Sequence, residues 1–442
     1  MHSNLKNEDV STKQRRIARL AKGSPEMGFT SLNHLIDMDW LKEAFRLTRK
    51  SGAPGVDGQT AEEYEGNLEL NLQNLLERAK SGTYRAPPVR RKHIPKGTGT
   101  ETRPIGIPTF EDKVLQRAVV MLLEPIYEQD FHDGSYGFRP RRSPHDAMEA
   151  LREETMRIGG GWVLEVDLRK FFDTLDHAHL RDFISRRIRD GVVRRLIGKW
   201  LNAGVMEDGN ISYPESGSPQ GGCISPILAN VYLHYVLDVW FEEVVKPQLS
   251  GSAKLIRFAD DFVIVFSNRE SAIQVLELLP KRFGEYGLSV HPDKTRLIDF
   301  RHPCHSDRKR DDRLKPDTFD LLGFTHYWSK SRQGNWTVQK QTMSSRLTRA
   351  IQTIYHWCCD YRHWPVREQW QKLCQKVRGH YAYYGVRGNG RMLRNFRHEV
   401  RRAWRKWLDR RNRERKMTWE RFERLEKRYP LPLPKTRPQG ST

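Results

Sequence analysis

The chain has 442 residues, 37% hydrophobic and 30% charged, with 77 Lys and Arg against 55 Asp and Glu and a formal net charge of +22. That length accommodates two or three domains with sizeable cores, and so large a basic excess points to a polyanionic partner whose counterions Lys and Arg displace. A membrane surface is the competing polyanion, but there is no apolar run of spanning length and the opening "MHSNLKNEDV" has no signal-peptide core, so nucleic acid is favoured.

The first thirty or so residues, with "STKQRRIARLAKG", read as a loose basic arm or a short helix. From there to about residue 160, helical stretches alternate with pieces punctuated by Gly and Pro, among them "SGAPGVDG" (51–58) and "IPKGTGTETRPIGIPT" (94–109). The second of these has the Gly/Thr-rich turn of a hairpin. The middle of the chain, to about residue 328, mixes strands and helices. After "QTMSSRLTRA" the character changes to basic helices rich in aromatics. Leu347, Ile351, Ile354, Tyr355 and Cys358 recur at helical spacing, as do Leu393, Phe396, Val400, Trp404 and Trp407. Arginines crowd the opposite side of the second stripe and far outnumber acids there, more than a solvated face requires. Between the two stripes, "GHYAYYGVRGNG" offers aromatics and glycines for stacking or backbone contact. The Pro-rich end, "YPLPLPKTRPQGST", reads as extended or disordered. The five cysteines, Cys223, Cys304, Cys358, Cys359 and Cys374, form no CxxC pair, which speaks against a zinc ribbon or a disulfide framework and for a reducing, intracellular setting.

Two places carry chemistry. In "RFADDFVIVF" (257–266), adjacent Asp260 and Asp261 interrupt apolar runs. Asp is common at hairpin turns, and on this stretch alone the turn reading is the simpler one. The alternative is a pair of carboxylates whose repulsion a hard cation such as Mg²⁺ relieves. In "WVLEVDLRKFFDTLDH" (162–177), Asp167 ends a strand-like run, where an acid is costly unless solvated, paired or bound to metal. It reads equally as the cap of a following helix. Taken together, the three carboxylates fit two-metal phosphoryl transfer, with ions roughly 3.5–4 Å apart.

The order of motifs strongly resembles a reverse transcriptase of the group II intron type, also called an intron maturase. It is carried by the two Gly/Pro pieces above and "GSYGFRPRRSPHDA" (134–147), followed by "VDLRKFFD" (166–173), "GSPQGGCISPILANVYL" (217–233) and "RFADDFVIVF". "HPDKTRL" (291–297) and "FDLLGF" (319–324) complete the series. One departure is visible, Phe-Ala-Asp-Asp where Tyr-Ala-Asp-Asp is commoner; both carboxylates are intact.

The resemblance implies an α+β, right-hand polymerase with fingers, a palm built on an antiparallel sheet, and a helical thumb. Residues 1–50 would be a basic arm and the start of the fingers, 51–160 the fingers and 161–328 the palm. Residues 329–412 would be the thumb or maturase domain, and 413–442 a short basic, Pro-rich remnant of a DNA-binding region, without an HNH-type endonuclease domain. Asp167 and Asp260 would be the main ligands of two Mg²⁺ ions, with Asp261 completing the acidic patch. Phe172 would gate against a 2′-hydroxyl, although the residues alone allow a core aromatic. Lys96 and Arg103 would fold over the incoming triphosphate. Gln220 would sit beside the nascent base pair and the neighbouring glycines against the template. Lys294 would give a proton to the leaving pyrophosphate, unless it is a surface lysine near a strand end. Arg401, Arg402 and Arg405 would grip nucleic acid. The implied partners are template and intron RNA, primer or target DNA, and dNTPs, in a bacterial cytoplasm with no membrane. Two rivals remain open: a domesticated reverse transcriptase serving defence or repair, and an RNA-binding splicing factor with an idle polymerase site.

Overall fold

The structure is a computed structural model, describing residues 9–95, 102–207, 209–213, 217, 221–303, 317–331, 333–411 and 417–436. In chain order its elements begin with α1 (Val10–Gly23), α2 (Met38–Leu47), α3 (Ala61–Glu65), α4 (Leu68–Ser81), β1 (Val89–Pro95), β2 (Thr102–Ile107) and α5 (Phe110–Asp130). There follow α6 (Pro144–Arg157), β3 (Gly160–Val166), α7 (Phe171–Thr174), α8 (His177–Arg187), α9 (Gly191–Leu201), β4 (Val205–Glu207), β5 (Asn210–Ser212) and α10 (Ser225–Leu233). The chain continues through π-helical turns at His234–Asp238 and Trp240–Val245 into β6 (Ala253–Phe258), β7 (Asp261–Phe266) and α11 (Arg269–Glu285). The last elements are β8 (Arg296–Arg301), β9 (Phe319–Leu321), β10 (Phe324–Lys330), β11 (Trp336–Thr342), α12 (Ser344–Asp360), α13 (Val366–Tyr384), α14 (Gly390–Asp409) and α15 (Trp419–Arg428). Helix and strand are thus both well represented. The chain divides into two compact units, one of Met1–Glu154 with Gly161–Leu297, the other of Thr155–Gly160 with Ile298–Thr442.

The first unit is organised around α5, which buries residues on every face, from Phe110 and Val114 to Ile126 and Tyr127. A helix apolar all round has to be enclosed, and neighbouring helices do so. Gln14 of α1 donates to the Met121 carbonyl at 3.1 Å, and the Trp40 indole of α2 donates to the Ala118 carbonyl at 2.9 Å. The basic N-terminal segment is therefore no loose arm: Ile17 and Ala21 belong to the core. One sheet has the order β2-β1-β4-β5. Its β1–β2 pair is antiparallel from Arg90↔Ile107 to Pro95↔Thr102, as the "IPK…TRP" stretch predicts. In the other, β6, β7 and β3 lie side by side in that order. Phe262–Phe266 of β7 and Val163, Leu164 and Val166 of β3 are buried, the continuous apolar runs of central strands covered on both faces.

The second unit holds an antiparallel sheet of order β11-β10-β9 and the helices α12 to α15. The stripes read from the sequence do face a core: Leu347, Ile354 and Cys358 of α12 and Leu393, Phe396, Val400 and Trp404 of α14 are buried together. Gln369 ties the bundle. Its amide donates to the carbonyls of Tyr361, Arg362 and Trp364, each at 3.0 Å, and its oxygen accepts the Trp404 indole at 3.0 Å. The aromatics of "GHYAYYGVRGNG" close α13 and pack inward, with His380 stacked on Phe396 at 3.8 Å between ring centroids. Tyr381 is buried, while His380, Tyr383 and Tyr384 are half-buried. Residues 430–436 form no helix or strand, yet Leu431 is buried and the Pro430 carbonyl accepts the Trp370 indole at 2.9 Å. Among the described residues no helix is long and apolar enough to cross a membrane, and Cys223, Cys358, Cys359 and Cys374 are free thiols.

Candidate active site

β6 and β7 form a hairpin that closes on the pair Phe258↔Asp261, leaving Ala259 and Asp260 as a two-residue turn. Such a tight loop needs a left-handed residue, and Ala259 supplies it at φ 57°. β3 runs antiparallel to β7 with Val166 opposite Phe262. Asp167 directly follows Val166 and Asp261 directly precedes Phe262, so both acids lie at the end of this strand pair. The three carboxylates predicted from the sequence thus come from two neighbouring strand ends and the turn between β6 and β7, and the Asp167 charge acts on Asp260.

Their surroundings differ. Asp261 is exposed, whereas Asp167 and Asp260 are half-buried. Burial holds the Asp260 carboxyl above the ordinary carboxylate range; the Asp167 charge pushes the same way, and Arg103 and Arg257 oppose it. Asp167 is met by Lys294, whose ammonium donates to Oδ2 at 2.8 Å. That lysine reaches across because the backbone after β3 is tied to the segment preceding β8. Arg169 N donates to the Ser289 carbonyl at 2.9 Å, and His291 N to the Asp167 carbonyl at 2.8 Å.

Among the described residues, no three His, Cys, Asp or Glu side chains converge as a metal-holding group. The donor set nevertheless suits a hard divalent cation. Mg²⁺ commonly takes only one or two protein carboxylates and fills its shell with phosphate and water. The Asp167 charge adds to the cost of ionising Asp260, which such an ion would relieve.

Arg103 lies on β2, paired with Ile94, and its charge reaches Asp260. Phe172 lies on α7, half-buried, while Phe171 beside it is 2% exposed and forms the core anchor, with ring centroids 5.3 Å apart. Lys96 and Gln220 lie outside the described residues. Of the glycines expected against the template, two press on the chain itself. A Cβ on Gly217, at φ 94°, would stand 3.0 Å from the Phe172 carbonyl, and one on Gly221, at φ 124°, 2.5 Å from that of Gly106. The His177 ring also donates to the Gly217 carbonyl at 2.5 Å. Both glycines leave room for the chain's own backbone, at α7 and β2.

In the second unit, the three arginines of α14 are engaged within the fold. Arg401 pairs with Glu426 of α15 at 2.8 Å, and Arg402 with Glu399 at 3.0 Å. Arg405 donates to the Met417 carbonyl at 2.8 Å and lies over the Trp419 ring.

Sequence reasoning passed over Arg257. Its side chain is fully buried, forking onto Asp238 at 2.8 Å while donating to Asn230 Oδ1 at 3.1 Å, the Ala259 carbonyl at 3.0 Å and Ser135 Oγ at 2.8 Å. The signal available was an arginine inside an apolar strand, two residues before the turn. A buried cation there requires several acceptors converging on it.

Residues 94–326 match the reverse transcriptase (RNA-dependent DNA polymerase) family. Protein YkfC of Escherichia coli is 36% identical over 322 residues, 65% of this chain and 84% of that protein. The group II intron-encoded protein LtrA of Lactococcus lactis is 38% identical over 221 residues, half of this chain but only 36% of LtrA. Nuclear intron maturase 2, mitochondrial, of Arabidopsis thaliana is 29% identical over 231 residues, 43% of this chain and 30% of its own length.

Proposed function

The chain belongs to the reverse transcriptase (RNA-dependent DNA polymerase) family, in its group II intron-encoded branch, and on that footing we propose that it copies intron RNA into DNA and assists splicing by binding that RNA. The observation that supports the reading is the pairing of β3 with β7, which ends at Val166↔Phe262 next to Asp167 and Asp261, together with the charge of Asp167 acting on Asp260. Three acids at one sheet edge, with Arg103 and Lys294 close by, suit transfer of a nucleotidyl group to a primer 3′-oxygen.

The fold is read as a right hand with fingers, palm and helical thumb in the order expected from the motifs. Asp167 and Asp260, completed by Asp261, would hold Mg²⁺, two ions by the logic of in-line displacement. When bound, they supply activation of the attacking 3′-oxygen and neutralisation of the leaving pyrophosphate. The chain does the rest. Arg103 presents a fixed cation to the triphosphate. Phe172, on a helix whose neighbour Phe171 is locked in the core, excludes a 2′-hydroxyl from the sugar site. Lys294, which donates to Asp167 at 2.8 Å, would give a proton to pyrophosphate. RNA template, intron RNA, DNA primer and dNTPs are the proposed partners, in the bacterial cytoplasm.

Extension of a DNA primer annealed to an RNA template, run with Mg²⁺ beside a splicing assay on the RNA flanking the reading frame, tests both halves. Extension together with faster splicing is expected. Faster splicing with no extension would favour the idle-site splicing factor, and extension with unchanged splicing a polymerase in another role.

A further inference from the structure

Phe138 is a bulky residue held at φ 54°, a conformation L side chains rarely adopt, and its ring is 54% exposed. Neither feature is accidental, because both neighbours are clamped. Gly137 is buried so tightly that a Cβ there would lie 2.2 Å from the Ala259 nitrogen, and its carbonyl accepts the Asn230 amide at 2.7 Å. Arg139 is 7% exposed; it forks onto Glu128 and donates to the His132 and Ser135 carbonyls at 2.7 and 2.8 Å. Just upstream, Tyr136 N donates to the Arg257 carbonyl at 2.8 Å, and Arg257 N to the Gly134 carbonyl at 2.8 Å, so the segment runs along β6 to the hairpin. The Phe138 ring lies against Phe258, with centroids 6.2 Å apart, and Phe258 is the cross-strand partner of Asp261.

The frame on both sides thus forces Phe138 into a strained backbone with an aromatic face in solvent, against the strand residue that pairs with Asp261. Strain of this kind persists where the surroundings over-determine it, and it clusters at ligand sites. The ring touches Phe258 and is otherwise largely in solvent. A nucleobase would use it, since every base offers a π-face and stacking is indifferent to sequence. The base that must come to this hairpin is the one carrying the attacking 3′-oxygen.

We propose that Phe138 contacts the terminal primer nucleotide, its exposed ring packing on that base and holding the 3′-end at the Asp167–Asp260 edge. The proposal rests on the reading of that edge as the polymerising site.

The test uses the full chain with a DNA primer pre-annealed to an RNA template. It compares wild type with Phe138→Ala, Phe138→Gly and Phe138→Trp. Glycine accepts the left-handed conformation at no steric cost, so Phe138→Gly is expected to melt no lower than wild type while its KM for primer–template rises roughly tenfold or more. The dNTP KM should move less than twofold, and Phe138→Trp should keep primer–template KM near wild type. Replacing the primer's 3′-terminal nucleotide by an abasic one should cost wild type much of the same factor, without adding to the Phe138→Ala loss. Unchanged primer–template KM in both Phe138→Ala and Phe138→Gly, or fully additive losses with the abasic primer, would overturn the assignment. Full extension by Asp260→Asn would instead remove the site reading beneath it.

Discussion

Arg257 and Asp238 form an ion pair in which neither side chain is more than 1% exposed, and the same guanidinium donates to the carbonyl of Ala259 in the hairpin turn. A buried pair of this kind adds little net stability over well-packed apolar residues, but removing one partner strands the other charge at a cost of about 3–5 kcal/mol. Asp238→Asn is therefore expected to lower the unfolding free energy by roughly that amount, read from urea denaturation. Arg257→Lys should lose comparably, because an ammonium cannot reproduce the fork. Where enough protein remains folded, both variants should also extend primers more slowly, since the turn bearing Asp260 has lost its anchor. A loss below about 1 kcal/mol in both would mean that the pair is open to water in solution.

Asp260→Asn keeps the shape of the side chain and removes its charge. Primer extension should fall by more than about 100-fold, beyond the usual loss for a mere supporting contact of a metal ligand. RNA affinity, measured by filter binding, should stay within about twofold of wild type. Near wild-type extension would dismiss Asp260 as a ligand.

Phe172→Val should relax sugar selection. The dNTP-to-rNTP ratio of kcat/KM on one template is expected to drop by roughly 10- to 200-fold, the range available to steric discrimination by a few carbons. An unchanged ratio would make Phe172 a core residue like Phe171.

The arginines of α14 separate by their partners. The Arg402 side chain is 58% exposed and its pair with Glu399 is worth little, whereas Arg401, at 21%, is held by Glu426 of α15. Arg402→Ala should flatten the log–log salt dependence of RNA binding by roughly 0.7–0.9 for one lost phosphate contact, across unrelated RNA sequences. Arg401→Ala should mainly lower the melting temperature. If Arg401, Arg402 and Arg405 are all replaced and the salt slope matches wild type, this face is not an RNA grip.

Asp112 gives a pH prediction. Burial raises its carboxyl to about 6, with hydrogen bonds from Tyr84, Trp200 and Gln116 pulling it partly back. In the unfolded chain it titrates near 4. Between those values the folded protein keeps a proton that the unfolded chain has released, so stability falls as the pH rises through this window, by up to about 3 kcal/mol. Below pH 4 the contribution is fully present. Urea unfolding from pH 4 to pH 7 should show Asp112→Asn gaining on wild type by about 1–3 kcal/mol, and a constant difference would contradict the shift.

The hairpin around Asp260, the strand ending at Asp167 and the apolar stripes of α12 and α14 are legible in the sequence because each is a local pattern. Alternation, a turn between apolar runs and a helical repeat arise from sterics among near neighbours. That Asp167 belongs with Asp260 and Asp261 needed the resemblance to suggest it, for β3 and β7 are far apart in the chain. Other features belong to the tertiary structure alone. Lys294 bonds Asp167 across 127 residues, and Arg257 collects acceptors up to 122 residues away. Gly217 and Gly221 yield space to the chain's own backbone, and Arg401 goes to Glu426. An arginine or a glycine has the same local appearance whether it serves solvent, substrate or a distant carbonyl. What decides among them is which groups packing leaves without a partner, and that is settled only when buried donors and acceptors from remote segments are brought within hydrogen-bonding distance.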